Sequence, residues 1–256
     1  MQSEVDRRRA ERRKKIRRQR MKRAFVFFLI VALITLAIMC FTVFFPIKRI
    51  SVSGSEIYTK NQIIKASGLT TDDNLFVVSE DKLEDKIRRK LPYIDNITIK
   101  RVLPDAIIIT AVDATEYAYY ELNGKFYIIS ENNYLLSEQT EEPTNIFKIV
   151  TGGIEGSVGQ TIKYANSAEQ ELVESVVKNL IDKNININYV DISNSLQITV
   201  GIQDKFTVVL GNSEYLQEKI AHLAGMVESI GDRQGKINLS MWTPQNSQGS
   251  FVENKS

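Results

Sequence analysis

Cysteine and histidine each occur once in 256 residues. The lone Cys40 can form no intrachain disulfide, so the fold must hold by core packing alone. The lone His222 cannot supply the several imidazoles of most zinc sites. It sits in a helical pattern beside an apolar stripe, where a partly buried structural role is expected rather than that of a catalytic base. Glu141 and Glu142 are adjacent in a Thr/Pro loop and cannot flank a scissile bond as a glycosidase pair must, so they read as solvated charge. The run "TGGIEGSVG" (151–159) has four glycines but no Lys-Ser/Thr pair after it, and reads as a flexible turn rather than a phosphate cradle. These gaps argue against an enzyme, and no metal, cofactor or small-molecule substrate is expected.

Charge is missing too, but only locally. No charged side chain occurs from Ala24 to Ile47. Residues 24–45 would make a helix of roughly 33 Å, one bilayer core. A cleaved signal peptide would have a shorter apolar run and a small-residue cleavage site, and Val43-Phe44-Phe45-Pro46 offers none. Residues 1–23 hold 12 Lys/Arg against three Asp/Glu, a net of +9, which leaves −7 of the total of +2 for the rest. The positive-inside rule then keeps the N-terminus cytoplasmic and exports the chain beyond Pro46. The basic run has no aromatic residue to stack on bases, so topology and anionic lipid account for it better than nucleic acid.

About 210 exported residues suffice for two small domains. "IKRISVSG" alternates like a strand. "TKNQIIKASG" has Thr59 and Gln62 at capping-box spacing and Gly68 as a stop. "SEDKLEDKIRRKLP" is the clearest helix, with Ser79 as cap, Leu83, Ile87 and Leu91 on one stripe, and Pro92 after it. Its Lys82, Lys86, Arg88, Arg89 and Lys90 read as a wet face. "NITIKRV" and "AIIITAV" are strands about a turn at Leu103-Pro104-Asp105. Strand, helix, helix, strand, strand gives a three-stranded sheet with two helices on one face.

From Glu116 onward the pattern is richer in strands. "EYAYYELNGKFYIIS" is a hairpin about Asn123-Gly124. Strands are expected near Tyr134–Ser137 and Ile146–Thr151, then a helix from about Ala168 to Lys183. "INYVDI", "LQITV" and "KFTVVL" come next as strands, with turns at Asn194-Ser195 and Gln203-Asp204. A helix capped by Ser213 buries Leu216, Ile220, Leu223 and Val227, and "GKINLSMW" is the last strand. Tyr117, Tyr119, Tyr120, Phe126, Tyr127 and Tyr134 crowd one stretch, half of them core by alternation and half available for contact.

The stretches "ISVSGSEIYTKNQIIKASGL" and "NLFVVSEDKLEDKIRRKLPYIDNITIKRVLPDAIIITA" resemble a POTRA domain of the FtsQ/DivIB family of bacterial cell-division proteins. Asn74-Leu75-Phe76, Leu91-Pro92-Tyr93-Ile94 and Arg101-Val102-Leu103-Pro104-Asp105 match that family's typical run. "IVTGG" is similar to its apolar strand ending in Thr-Gly. Two departures stand out. Asp113-Ala114-Thr115-Glu116-Tyr117-Ala118 lacks the proline usual there, and Asn238-Leu239-Ser240 replaces the usual acidic residue, Leu and Arg. The chain is thus expected to be α+β, with a basic cytoplasmic tail (1–23), a transmembrane helix (24–45), a POTRA-like domain (46–115), a β-rich domain with two helices (116–242) and a flexible tail (243–256).

The resemblance implies a non-enzymatic scaffold at the division septum. Its partners would be single-span coiled-coil proteins of the FtsL and FtsB/DivIC kind, and it would recruit or regulate the septal penicillin-binding transpeptidase complex. In that family the last strands of the β-rich domain contact the small coiled-coil partner. The corresponding residues here are Asn238, Ser240, Met241 and Trp242, with Phe251 and Val252 just beyond. Trp242 is the only tryptophan, a residue type enriched at binding hot spots, and closing the domain core is its alternative role. The rival functions are a membrane-anchored cell-wall hydrolase or transferase, and a transport chaperone. For the chaperone no long alternating barrel is present downstream.

Overall fold

The computed structural model describes residues 20–36, 39 and 45–254. Residues 20–36 are helical (α1), and the large apolar side chains from Phe25 to Leu36 are 41–69% exposed. Most of the expected basic tail and much of the second half of the expected span lie outside the described residues. Among the described residues no helix is long and apolar enough to cross a membrane.

The first module is one three-stranded sheet, ordered β1 (Arg49–Ser53), β3 (Ala106–Asp113), β2 (Ile94–Val102). β1 runs parallel to β3, so the chain must cross over between them, and α2 (Lys60–Ser67) and α3 (Glu80–Lys90) make that crossover. Thr59 accepts from the Gln62 N–H while the Gln62 side chain reaches back to the Thr59 N–H, and Gly68 ends α2 in the left-handed region. Ser79 precedes α3 without a side-chain cap bond; Glu80 and Asp81 face the helix's positive end instead. Ile63, Leu83 and Ile87 meet Val52, Ile97, Ile107 and Ile109 in the core. At roughly 25 cal/mol per Å² of apolar area, this burial is what holds the two short helices in place. The sheet's other face is open.

The second module is a nine-stranded sheet, ordered β14-β13-β12-β11-β10-β7-β4-β5-β6. Four strands lie in its first half: β4 (Ala118–Leu122), β5 (Lys125–Ile129), β6 (Leu135–Gln139) and β7 (Phe147–Val150). Asn123 and Gly124 both have positive φ, as the two-residue β4–β5 turn requires. β7 and β10 (Ile187–Asp191) are parallel, joined through the small hairpin of β8 (Ile154–Glu155) and β9 (Lys163–Tyr164) and through α4 (Ser167–Asp182). β11 (Ile198–Ile202) and β12 (Phe206–Gly211) form a hairpin. β12 is parallel to β13 (Gly235–Asn238) by way of α5 (Leu216–Ile230). Both helices lie on one face and share one core with the sheet, built on Val176, Leu180, Val200, Val208, Ile220 and Leu223.

Three expectations fail locally. Ser213 does not cap α5. Tyr215 is the cap residue, in the left-handed region with no side-chain bond, and the buried Lys219 amine instead bonds the Asn212 carbonyl (3.1 Å) and fixes the entry. Residues 243–256 are not all frayed: β14 (Ser250–Glu253) returns antiparallel to β13. Arg88 is not on a wet face; it is 7% exposed.

Candidate functional site

β13 and β14 form the C-terminal edge. Ser250, Phe251, Val252 and Glu253 oppose Asn238, Ile237, Lys236 and Gly235. The close pairing depends on glycine: a Cβ at Gly235 would fall 2.2 Å from the Val252 carbonyl oxygen. Phe251 shares the face of the buried Ile237, sits edge-on to Phe206 at 6.2 Å, and lies under the Arg233 guanidinium at 5.2 Å. The Asn254 N–H reaches the Gln234 carbonyl (2.9 Å). Antiparallel alternation then turns the N–H and C=O of Phe251 and Glu253 outward, where no described strand meets them.

The structure brings most of the sequence-predicted residues onto this edge. Asn238, Met241 and Val252 are exposed, the last two at 80% and 65%, and Ser240 and Phe251 are half-buried. Trp242 is different. It is 7% exposed and belongs to the second core, with the His222 ring 5.8 Å away. Its indole N–H has no partner among the described residues. The polar neighbours that mark it as surface in the sequence are a turn, in which Trp242 N–H bonds the Leu239 carbonyl (3.1 Å) and carries the ring inward.

The opposite edge, β6, is covered where it begins, at Leu135. The Leu135 N–H bonds the Gln160 carbonyl (2.9 Å), and the Gly159 N–H bonds the Leu135 carbonyl (2.8 Å). Further along, the Tyr93 hydroxyl of the first module bonds Ser137 (3.1 Å) and Glu116 (2.8 Å). Burial and the nearby Glu116 raise the Tyr93 phenol above its ordinary pKa, against the Ser137 hydrogen bond.

That contact belongs to a joint which sequence reasoning missed. Ala114, Tyr119, Ile128 and Leu136 make a third buried cluster, with Tyr93, Phe126, Tyr134 and Ile146 around it. Arg88 lies over the Tyr134 ring at 4.3 Å and also bonds Glu84 and the carbonyls of Ile94 and Asp95. Asn132 donates to Asp95 (2.8 Å). A Cβ at Gly159, where φ is +82°, would fall 2.7 Å from the Arg88 carbonyl oxygen, so this glycine lets the two modules touch. The glycine-rich run forms the first strand and the turn of the β8–β9 hairpin, largely exposed, with Gly159 at its end buried against α3. The aromatic crowding was a usable signal for the joint, since so many rings in one stretch exceed what one sheet face can bury. Burial pushes the Tyr119 and Tyr120 phenols well up, Tyr119 with help from a bond to Glu142 and Tyr120 with help from Tyr164, so both stay neutral.

Comparison with known proteins agrees with this architecture. The family described as "POTRA domain, FtsQ-type" matches residues 45–112, the three-stranded module. The cell division protein DivIB of Clostridium tetani is 29% identical over 224 residues, covering 83% of this chain and 83% of that protein. DivIB of Clostridium acetobutylicum is 30% identical over 203 residues, covering 77% and 80% respectively. The cell division protein FtsQ of Streptomyces bingchenggensis is 23% identical over 189 residues, covering 73% and 71%. With the Clostridium acetobutylicum relative 30% identical and matched across four-fifths of its length, the chain belongs to the FtsQ/DivIB family of cell-division proteins.

Proposed function

We propose that this divisome protein acts as a non-enzymatic, bitopic scaffold that binds single-span coiled-coil partners of the FtsL and FtsB/DivIC kind through the β13–β14 edge. The observation that carries the reading is the asymmetry of the large sheet. Its β6 edge is occupied at Leu135 by the 159–160 segment and flanked at the Ser137 side chain by Tyr93, whereas β14 presents outward-facing amides beside exposed Val252 and Met241. An unpaired edge takes a partner strand, with main-chain bonds giving affinity and flanking side chains giving selectivity. Asn238, Ser240, Met241, Phe251 and Val252 are the contact residues, and Trp242 supports them from beneath. In this reading residues 24–45 span the membrane with the basic tail in the cytoplasm, and the two modules hold partners at the septum outside it. The septal transpeptidase complex is recruited through those partners. The domains divide at 46–115 and 116–242, with β14 joining the second. An anchored cell-wall hydrolase is the weaker reading, because His222, the only histidine, packs against the buried Trp242 at 5.8 Å.

Glu253→Pro tests the edge. The substitution removes one outward N–H and no bond to β13. Affinity capture of the full-length protein from its own membranes, with partners identified by mass spectrometry, is expected to lose the coiled-coil partner about tenfold, a 1.4 kcal/mol effect. Trp242 fluorescence should stay native. Undiminished capture would remove the β14 edge from the binding surface.

A further inference from the structure

The end of the first module from which β1 starts carries a set of exposed apolar residues that the partner edge does not use. Phe76 is 45% exposed, Val77 69%, Val102 39% and Leu103 61%. They come from two loops that the fold draws together. Arg101 donates from Nε to the Leu75 carbonyl (2.9 Å) and from Nη2 to the Val78 carbonyl (2.8 Å), which ties the 75–78 loop to the end of β2. The Lys48 and Arg49 N–H groups both bond the Asp105 carbonyl (2.8 and 3.2 Å), which holds the β2–β3 turn against the start of β1.

The same end receives the chain as it leaves the apolar segment. Leu75 N–H bonds the Phe45 carbonyl (2.9 Å), Ile47 N–H bonds the Asp73 carbonyl (2.8 Å), and Pro46 bridges Asn74. The Phe45 ring stands edge-on to Phe76 at 5.0 Å. No linker separates residue 45 from the module. The 73–78 loop and the 102–105 turn therefore sit at the height at which the apolar segment ends. Lys48 and Arg49 lie beside them, exposed, Arg49 paired with Asp105 of the turn (2.9 Å), and Lys100 is exposed two residues before Val102; Asp72 is the exposed acidic residue at this end. Apolar tips flanked by Lys48 and Lys100, unpaired among the described residues, with Arg49 and Arg101 neutralised by Asp105 and Glu80, suit a surface that seats at the headgroup boundary of a bilayer chiefly through its apolar side chains.

We infer that the Phe76–Val77 loop and the Val102–Leu103 turn dip into the outer headgroup layer and dock the first module directly on the lipid surface. This inference rests on the reading of residues 24–45 as a membrane span. Docking would set the tilt of the first module, and the joint at Tyr93, Arg88 and Gly159 would pass that tilt to the second. The partner edge would then stand at a defined angle to the membrane rather than swinging on its anchor.

Spin labelling of the full-length protein separates the two readings. In a Cys40→Ser background, Val77→Cys, Leu103→Cys, Val31→Cys and Leu196→Cys are each labelled with a nitroxide. The proteins are then reconstituted in phosphatidylethanolamine–phosphatidylglycerol vesicles. Leu196 is the control, being 77% exposed and apolar but in the second module. Accessibility to dissolved oxygen relative to a water-soluble nickel chelate is expected to be several-fold higher at Val77 and Leu103 than at Leu196, and highest at Val31. If Val77 and Leu103 match Leu196 while Val31 stays lipid-exposed, the docking inference fails and the span stands. If Val31 is also open to nickel, the span itself is wrong and the inference falls with it.

Discussion

The first module buries one face of its sheet under two helices and leaves the other face to solvent. The second buries its helical face along its whole length and its other face only over the half that contains β4, β5 and β6. The added cluster lies where the modules meet, and the bare half ends at β14. A sheet with one end docked and the other end free suits a protein that must be held in place while a partner adds to it. The contrast predicts that the modules are separate cores coupled at one joint, and perturbing either core or the joint should reveal that coupling.

The largest effects should come from the cores. Trp242→Ala empties a buried site in the second module and is expected to cost about 3–5 kcal/mol of its stability. Ile87→Ala, at a position with no exposure, should cost the first module about 2–5 kcal/mol. Denaturant melts followed by far-UV circular dichroism measure both. In Ile87→Ala, fluorescence of the sole tryptophan reports the second module alone. Its midpoint should move less than the dichroism midpoint, and equal movement would mean that the two cores melt as one.

The joint comes next. Gly159→Ala places a methyl group 2.7 Å from the Arg88 carbonyl oxygen in a backbone conformation that disfavours alanine, so the hairpin must withdraw from α3. A loss of about 1–3 kcal/mol is expected. Hydrogen exchange should quicken at residues 88–95 and 132–137 while α5 stays protected. Uniform quickening would show that the glycine supports the whole second module and not the contact.

The two modules also differed in how much of them could be read from the chain. In the first, each signal acts over about ten residues: Thr59 with Gln62 and Gly68, then Glu80–Asp81 and the Leu83–Ile87 stripe ahead of Pro92. The sheet order results because three strands and two helices leave few other ways to bury those stripes. In the second, the strands were legible one by one, but the pairing of β4 with β7, and of β13 with a strand twelve residues on, joins segments whose local pattern says nothing of each other. "SFVE" sits in a polar tail, and Gly235, opposite it, and Gly249, just before it, make room for the pairing. Arg88 read as wet because helical charge usually is. Its partners, the carbonyls of Ile94 and Asp95 and the ring of Tyr134, come from after the helix and from the other module. Of the two roles the sequence left open for Trp242, the buried one holds: a turn at Leu239 aims it inward, and composition does not record direction.

The smallest expected effect lies at Asp113, where the first module ends and the family's usual proline is missing. Burial would raise this carboxyl, but bonds from the Ser55 hydroxyl and from the N–H groups of Glu56 and Ile57 outweigh it and hold the pKa below the ordinary carboxylate value. These bonds clamp the turn after β1 to the end of β3, one residue before Ala114 enters the joint cluster. Because the folded state holds the proton less tightly than the unfolded chain, the clamp is fully stabilising above the unfolded value, about pH 4. It is lost as the pH falls through the lower folded value. Asp113→Asn keeps the shape but loses the charge, and should cost about 1 kcal/mol at neutral pH, given the partial exposure of the site. Melts of the full-length protein in detergent, wild type beside variant, should show the gap narrowing below about pH 4 as the wild-type carboxylate takes up its proton. A gap that stays constant down to acid pH would mean that the amide breaks the geometry of the turn, and that charge at Asp113 contributes nothing to the clamp between that turn and β3.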